Sequence, residues 1–439
     1  MKKTQSFFIP SLIIIHLLFL FLKIFIGDFY LVDSHEYEQL AQNIFEKFEF
    51  YCEDLNEDIN FIFYTKRPPV YALFILVFSF FLKFKIGILL FQNIASISSL
   101  LLIKRIFEDN YFKINQIVLF VFIGTSLIQF MYANLIMSEI FFQFLIIMLM
   151  YQFHKCLKYP SWKQLLWYQL IIILLFLTKP VFYLFILPNL LITWTLYKKI
   201  KIKYSFLSSL LPIVVFVLYC SWNYNRTGSS DFSSIQNINL LEWNLKYFHQ
   251  QKFGFSKAKQ INTTILQEAS LIPEYAKRQK FIKTATIGYL KEDLLGYGIF
   301  HLKGCVRIFV DPGRFDLVNF FNFPSKKNEF GLLYHLNENG IKGALKFLGD
   351  QPKALLITLF LILLFNLLKV VSFIWFWIIN YKKTNLILLF ILFIILYIIF
   401  LTGPLGASRF FVPVLPAYLL FSSIGFVDLI KRLRKKTRV

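Results

Sequence analysis

Six charged side chains sit at the ends of long apolar runs, and their types suit acid–base and phosphate chemistry. Asp33 and Glu36 lie in "DSHEY", just after the first apolar run, and Glu139 opens a later run in "SEIFF". A carboxylate so placed can take a proton from a hydroxyl. Arg67 precedes two prolines in "RPPVY", Lys179 stands between two runs in "LTKPV", and Arg409 opens the last run in "SRFFV". Such cations hold phosphate, Arg in bidentate fashion. Tyr37, Tyr71, Asn223 and Arg226 are candidate donor or acceptor contacts near the same run ends. Each has a plainer reading. Asp33-Ser34-x-Glu36 fits a capping box, with Asp33 as N-cap and Glu36 at N3. Arg67 can simply anchor a membrane boundary. Glu139 complements a helix N-terminus.

The elements that must position these residues are membrane helices. The chain has 439 residues, 57% of them hydrophobic and 19% aromatic. That composition belongs to integral membrane proteins. A span needs about 20 apolar residues. Runs at 7–27, 86–103, 114–133, 139–157, 164–178, 180–197, 205–222, 354–378, 386–402 and 409–428 satisfy this or approach it. "PPVYALFILVFSFFL" is shorter; as a helix it reaches only about 22 Å. If 68–85 stays out of the membrane as a juxtamembrane segment, the basic clusters "HKCLKYPSWK", "YKKIKIKY", "YKKTN" and "KRLRKKTRV" all fall on the side of Lys2 and Lys3. The positive-inside rule then gives ten spans, both termini cytoplasmic, in the plasma or inner membrane. The six charged residues face the opposite, extracytoplasmic side.

Three parts follow. Residues 1–222 form an N-terminal transmembrane module with an outer loop at 28–67. Residues 223–353 form an extracytoplasmic cap of mixed polarity, and 354–439 the C-terminal spans. The outer loop carries ten acidic residues against Lys47, Lys66 and Arg67. Those from Glu46 to Asp58 read as solvated surface. The span centres look almost wholly apolar, with Gln129 and Asn366 as exceptions.

Several classes are excluded or disfavoured. The net charge of +22 resides in cytoplasmic clusters and no groove-reading motif accompanies it, so nucleic acid is not the expected partner. No phosphate-binding P-loop or dinucleotide fingerprint supports ATP or NAD use. Cys52 and Cys305 would both lie outside, but single cysteines more often stay free. A transporter would be expected to show broken helices and polar groups at mid-membrane.

The order of features resembles the polytopic glycosyltransferases of the GT-C fold, in the aminoarabinose-transferase-like and protein O-mannosyltransferase-like branch. "DSHEYEQLAQNI" looks like that family's first-loop segment, and "RPPVYALFI" its Arg/Lys-Pro-Pro-Leu segment. "FLTKPVFYLFILP" is similar to its Leu-Thr-Lys-Gly span, with Pro180 replacing Gly, and "SRFFVPVLPAY" to its closing Arg-x-x-x-Pro-x-x-Pro segment. The match covers 1–225 and 400–428. The family's two adjacent acids are split here into Asp33 and Glu36.

The resemblance implies an all-α membrane fold and inverting transfer of a monosaccharide from a polyprenyl-phosphate donor. The acceptor hydroxyl would belong to a glycan, lipid or protein outside the cytoplasm. Asp33 would be the general base; Glu36 and Glu139 are the further candidate catalytic carboxylates. Arg67, Lys179 and Arg409 would hold the lipid phosphate. The first loop has no D-x-D, so no obligatory cofactor or divalent metal is expected. The rival readings are a lipid-linked oligosaccharide polymerase or ligase, and a lipid or solute transporter.

Overall fold

In hydrocarbon, each backbone polar group must find its partner within its own segment, so long apolar runs fold as helices. A computed structural model describes residues 2–81, 84–201, 203–323 and 331–436, and no strand occurs among them. Seven helices are long and apolar enough to cross a membrane: Phe7–Ile26, Lys85–Asp109, Ser138–Lys158, Pro180–Lys199, Ser205–Thr227, Lys353–Lys383 and Ser408–Lys435. The count is up to eight if the bent pair Gln116–Gly124 and Leu127–Ala133 is one span. Pro69–Phe78, Trp162–Phe176 and Leu386–Thr402 are shorter apolar helices.

Surface chemistry supports the membrane reading. On the helix Lys353–Asn380, Ile357, Phe360, Leu361, Leu364, Leu367, Val371, Ile374 and Ile378 are all exposed. Their helical spacing makes one long apolar stripe, which suits lipid and is too large to leave in water. The opposite face packs on the last helix at close range. A Cβ added at Gly425 would lie 1.9 Å from the Ser372 carbonyl oxygen, so only glycine permits this crossing. The helix Ser138–Lys158 is mostly buried and meets the segment Ser408–Val414.

Two features depart from the sequence reading. The run 114–133 is not one straight helix: it bends by 66° at Gly124–Ser126. Thr125 Oγ1 donates to the Val121 carbonyl at 2.9 Å and Ser126 Oγ to the Phe122 carbonyl at 2.8 Å. The Ser126 hydroxyl gives the Phe122 carbonyl a partner where Ser126 N turns to Ile123 instead, while the Val121 carbonyl also keeps its bond from Thr125 N. Lys369 Nζ donates to Ser126 Oγ at 2.7 Å and is buried within its own span. The span interiors are also more polar than they looked. His16, Ser96, Gln129, Gln143, Gln169, Asn189 and Lys369 are all buried. Their periodicity hid them among apolar neighbours.

The segment 68–85 contains the helix Pro69–Phe81, whose start is tied down by Val70 N donating to the Leu177 carbonyl at 3.0 Å. Residues 82–83 of that segment, with Lys83, and 324–330 of the outer segment lie outside the described residues. Within 223–353 the described residues are largely helical and build a small apolar cluster of their own, including Leu245, Phe248, Ile265 and Phe300. The helix Leu294–Arg307 leans on the turn after Leu386–Thr402; a Cβ at Gly304 would sit 1.9 Å from the Gly403 carbonyl oxygen. All four cysteines are free. Cys52 Sγ donates to the Phe63 carbonyl at 3.1 Å, and Cys305 Sγ to that of Ile399 at 3.6 Å.

Candidate active site

The first helix stops at Gly27, whose positive φ of 80° turns the chain out of the helical path. Residues 28–33 then run beside 135–137, where Ile136 N donates to the Phe29 carbonyl at 2.9 Å. Ser34 is buried in a tight turn, and its hydroxyl contacts Met137 Sδ at 3.3 Å. This pairing brings Asp33 beside the N-terminus of Ser138–Lys158, and so beside Glu139.

Asp33 stands at the N-cap of the helix Ser34–Lys47, but its side chain caps nothing. Arg67 Nη2 donates to Oδ1 at 2.8 Å, and Arg409 Nη2 donates to Oδ2. Glu36 does not reach back to cap either. It accepts from Lys66 Nζ at 2.7 Å and from Arg67 Nε at 2.6 Å. The capping-box expectation therefore fails, because guanidiniums outcompete a backbone amide for a carboxylate. On the other flank, Glu139 Oε1 accepts from Lys179 Nζ at 2.8 Å and Arg409 Nε at 2.6 Å. Glu139 Oε2 is buried without a partner.

The result is a ladder of alternating charge: Lys66, Glu36, Arg67, Asp33, Arg409, Glu139, Lys179. Four cations against three carboxylates leave it at +1. Four separate parts of the chain supply it: the outer loop, the start of Ser138–Lys158, the turn before Pro180, and the segment Ser408–Val414. Except for Glu139 at 1%, its side chains are 10–19% exposed, enough for a ligand to reach. Burial alone would raise the Asp33 carboxyl. The Arg409 and Arg67 guanidiniums more than offset that and hold it well below the usual carboxylate range. Burial pushes the Lys179 ammonium down, against the pull of Glu139.

All six charged residues singled out from the sequence meet in this ladder. Arg67 gives both Nε and Nη2 to acids. Lys66, read only as a loop charge, joins them. Tyr37 and Tyr71 lie underneath as packing. Tyr37 is 5.2 Å from the Arg67 guanidinium, ring centroid to carbon, and its hydroxyl meets Ser138 Oγ at 3.2 Å. Tyr71 packs edge-on against Tyr37 and donates to Gln92 Oε1 at 2.8 Å. Both are buried, so neither is poised to touch a ligand. Asn223 and Arg226 form a separate knot. Asn223 donates to the Asp231 and Phe232 carbonyls, both at 3.0 Å, and Arg226 bonds Asn223 and the Phe50 carbonyl while stacking on Trp222. They fasten the end of Leu210–Thr227 to the outer loop instead.

The sequence reading missed the acids of "DPGRFD". Asp316 is buried and accepts from Tyr132 Oη at 2.7 Å and Ser408 Oγ at 3.1 Å. Asp311 Oδ2 accepts from Ser408 N at 2.6 Å. Together they fix the residue next to Arg409. Burial pushes the Asp316 carboxyl up to about 6. The only local signal was two acids bracketing a Pro-Gly turn. Among the described residues no group of three or more His, Cys, Asp or Glu is arranged to hold a metal.

The geometry is that of a chain of ion pairs with one cation more than carboxylates. Comparison with protein-family models, curated proteins and solved structures finds no match.

Proposed function

We propose that this chain is a polytopic membrane glycosyltransferase. It moves a monosaccharide from a polyprenyl-phosphate donor to an acceptor hydroxyl, with inversion, on the extracytoplasmic face. In this reading ten spans cross the plasma or inner membrane, both termini are cytoplasmic, and 223–353 caps the outer face. The observation that carries the proposal is the charge ladder, in which Asp33 sits between two arginines. The acceptor oxygen bonds to the anomeric carbon as the carbon–oxygen bond to phosphate breaks. The electron pair leaves on the lipid phosphate, and the hydroxyl proton passes to Asp33. Arg67, Lys179 and Arg409 stabilise the charge that grows on the leaving phosphate. Tyr37 and Tyr71 support Arg67 from below. No step in this scheme requires a metal.

The test is transfer of labelled sugar from a panel of polyprenyl-phosphate monosaccharides by the purified protein. Asp33→Asn keeps the shape and removes the base, so turnover should fall by at least about 10²-fold with folding intact. An Asp33→Asn protein as active as the parent would remove the proposed base.

The bend at Gly124–Ser126, with Lys369 bonded at the break, favours a second reading as a lipid or solute transporter. Protein reconstituted in liposomes that moves labelled prenyl phosphate across the bilayer, without any sugar transfer, would favour that reading instead.

A further inference from the structure

The two arginines of the ladder are held in the same way. Arg67 gives Nε to Glu36 and Nη2 to Asp33. Arg409 gives Nε to Glu139 and Nη2 to Asp33. Each guanidinium is thus anchored through Nε by a flanking carboxylate and offers Nη2 to one shared point. Asp33 fills that point, one oxygen to each arginine. If Asp33 left, the flanking carboxylates would still hold both guanidiniums in place.

A sugar phosphodiester has the same recognition features as a carboxylate: one negative charge shared over two free oxygens. It matches the two Nη2 donors as Asp33 does, and exchanging one for the other leaves the ladder's charge unchanged. Transfer then turns the diester into a phosphate monoester, which carries more negative charge. The guanidinium pair therefore holds the leaving group more strongly than the bound donor, which is the condition for accelerating the chemical step. The position is reachable, since Asp33, Arg67 and Arg409 are all 10–19% exposed.

We infer that Asp33 is a resident stand-in for the donor phosphate, and that the phosphate displaces it from Arg67 and Arg409 and so frees it to act as base. This rests on the donor reading above. A carboxylate clamped by two guanidiniums is a poor proton acceptor, and one released into a partly wet site is an ordinary one. Donor binding therefore switches the base on.

The test is binding of farnesyl phosphate, a sugar-free prenyl phosphate, to the full chain in detergent by calorimetry. Asp33→Asn removes the competing anion, so it should bind at least about tenfold more tightly than the parent while losing turnover. Equal or weaker binding overturns the exchange and leaves the donor reading standing. No binding to either protein overturns both. Should the variant not fold, infrared difference spectra of the parent labelled with 13C at aspartate carboxyls give the same answer. Farnesyl phosphate should shift one aspartate carboxylate band, and an unshifted spectrum overturns the exchange.

Discussion

Two of the polar clusters in this apolar molecule are built on opposite plans. The charge ladder lies at helix ends, partly exposed, with one buried oxygen unmatched. The other cluster is neutral and enclosed. His16 Nε2 and Ser96 Oγ are 2.8 Å apart, Gln129 Nε2 donates to Ser96 Oγ at 2.7 Å, and Gln129 and Gln143 exchange amide bonds at 2.7 and 2.9 Å. Gln143 also donates to the Val412 carbonyl at 2.5 Å. A reciprocal amide pair with satisfied neighbours can hold helices together at little cost, because nothing charged is desolvated. Seven charges gathered at helix ends are a costly way to do the same, since burying ion pairs gains little stability over apolar packing. In the proposed function the difference becomes a division of labour, with holding left to the amides and chemistry to the ladder.

The sharpest way to break that comparison is at Arg409, which joins the two halves of the ladder. Arg409→Ala should lower turnover about 10²–10³-fold, the scale for removing a donor aimed at developing charge. Arg409→Lys keeps the charge without the fork and should recover only part of it. Activity of Arg409→Ala within a few-fold of the parent would make the ladder structural. Lys179 ends the ladder and meets one carboxylate only. Lys179→Ala should weaken donor use by about 1.5–3 kcal/mol, the scale of a hydrogen bond to a charged group, read as kcat/KM for donor.

From the other side, Gln129→Leu should cost about 1–3 kcal/mol of stability, because Ser96 and Gln143 lose a buried partner. Unfolding in mixed micelles measures this. Turnover of the folded fraction should stay within a few-fold. A large loss of turnover at unchanged stability would place chemistry in the amide cluster and dissolve the distinction.

The ladder was legible as parts and not as a whole. Asp33, Arg67, Lys179 and Arg409 stand out because charge at the end of an apolar run costs free energy and invites explanation. Their pairing depends on tertiary packing: Asp33 and Arg409 are at opposite ends of the chain. Asn223 and Arg226 looked equivalent at the level of position, yet bonds to Asp231, Phe232 and Phe50 turn them elsewhere. The helical runs were readable from length and hydropathy. The bend at Ser126 was not, since a short Gly-Thr-Ser stretch is tolerated in many membrane helices. Nor was Asp316, whose importance comes from Ser408 and Tyr132, both far from it in sequence.

The smallest expected effect sets the boundary of the ladder. The outer loop holds ten acids, and only Asp33 and Glu36 join it. Asp54 instead accepts from the nearby Asn56 backbone and side chain, both at 2.9 Å, while Glu57 and Asp58 are exposed. Exposed charges interact through water and are screened within about 8–10 Å at ordinary salt. Neutralising Glu53, Asp54, Glu57 and Asp58 together should therefore change turnover only a few-fold, with the larger part of the change lost at high salt. The measurement is donor-dependent transfer at low and high ionic strength. A salt-independent loss of 10²-fold or more would mean that the loop acids touch the ligand directly, and the division between a working ladder and a solvated loop would have to be redrawn.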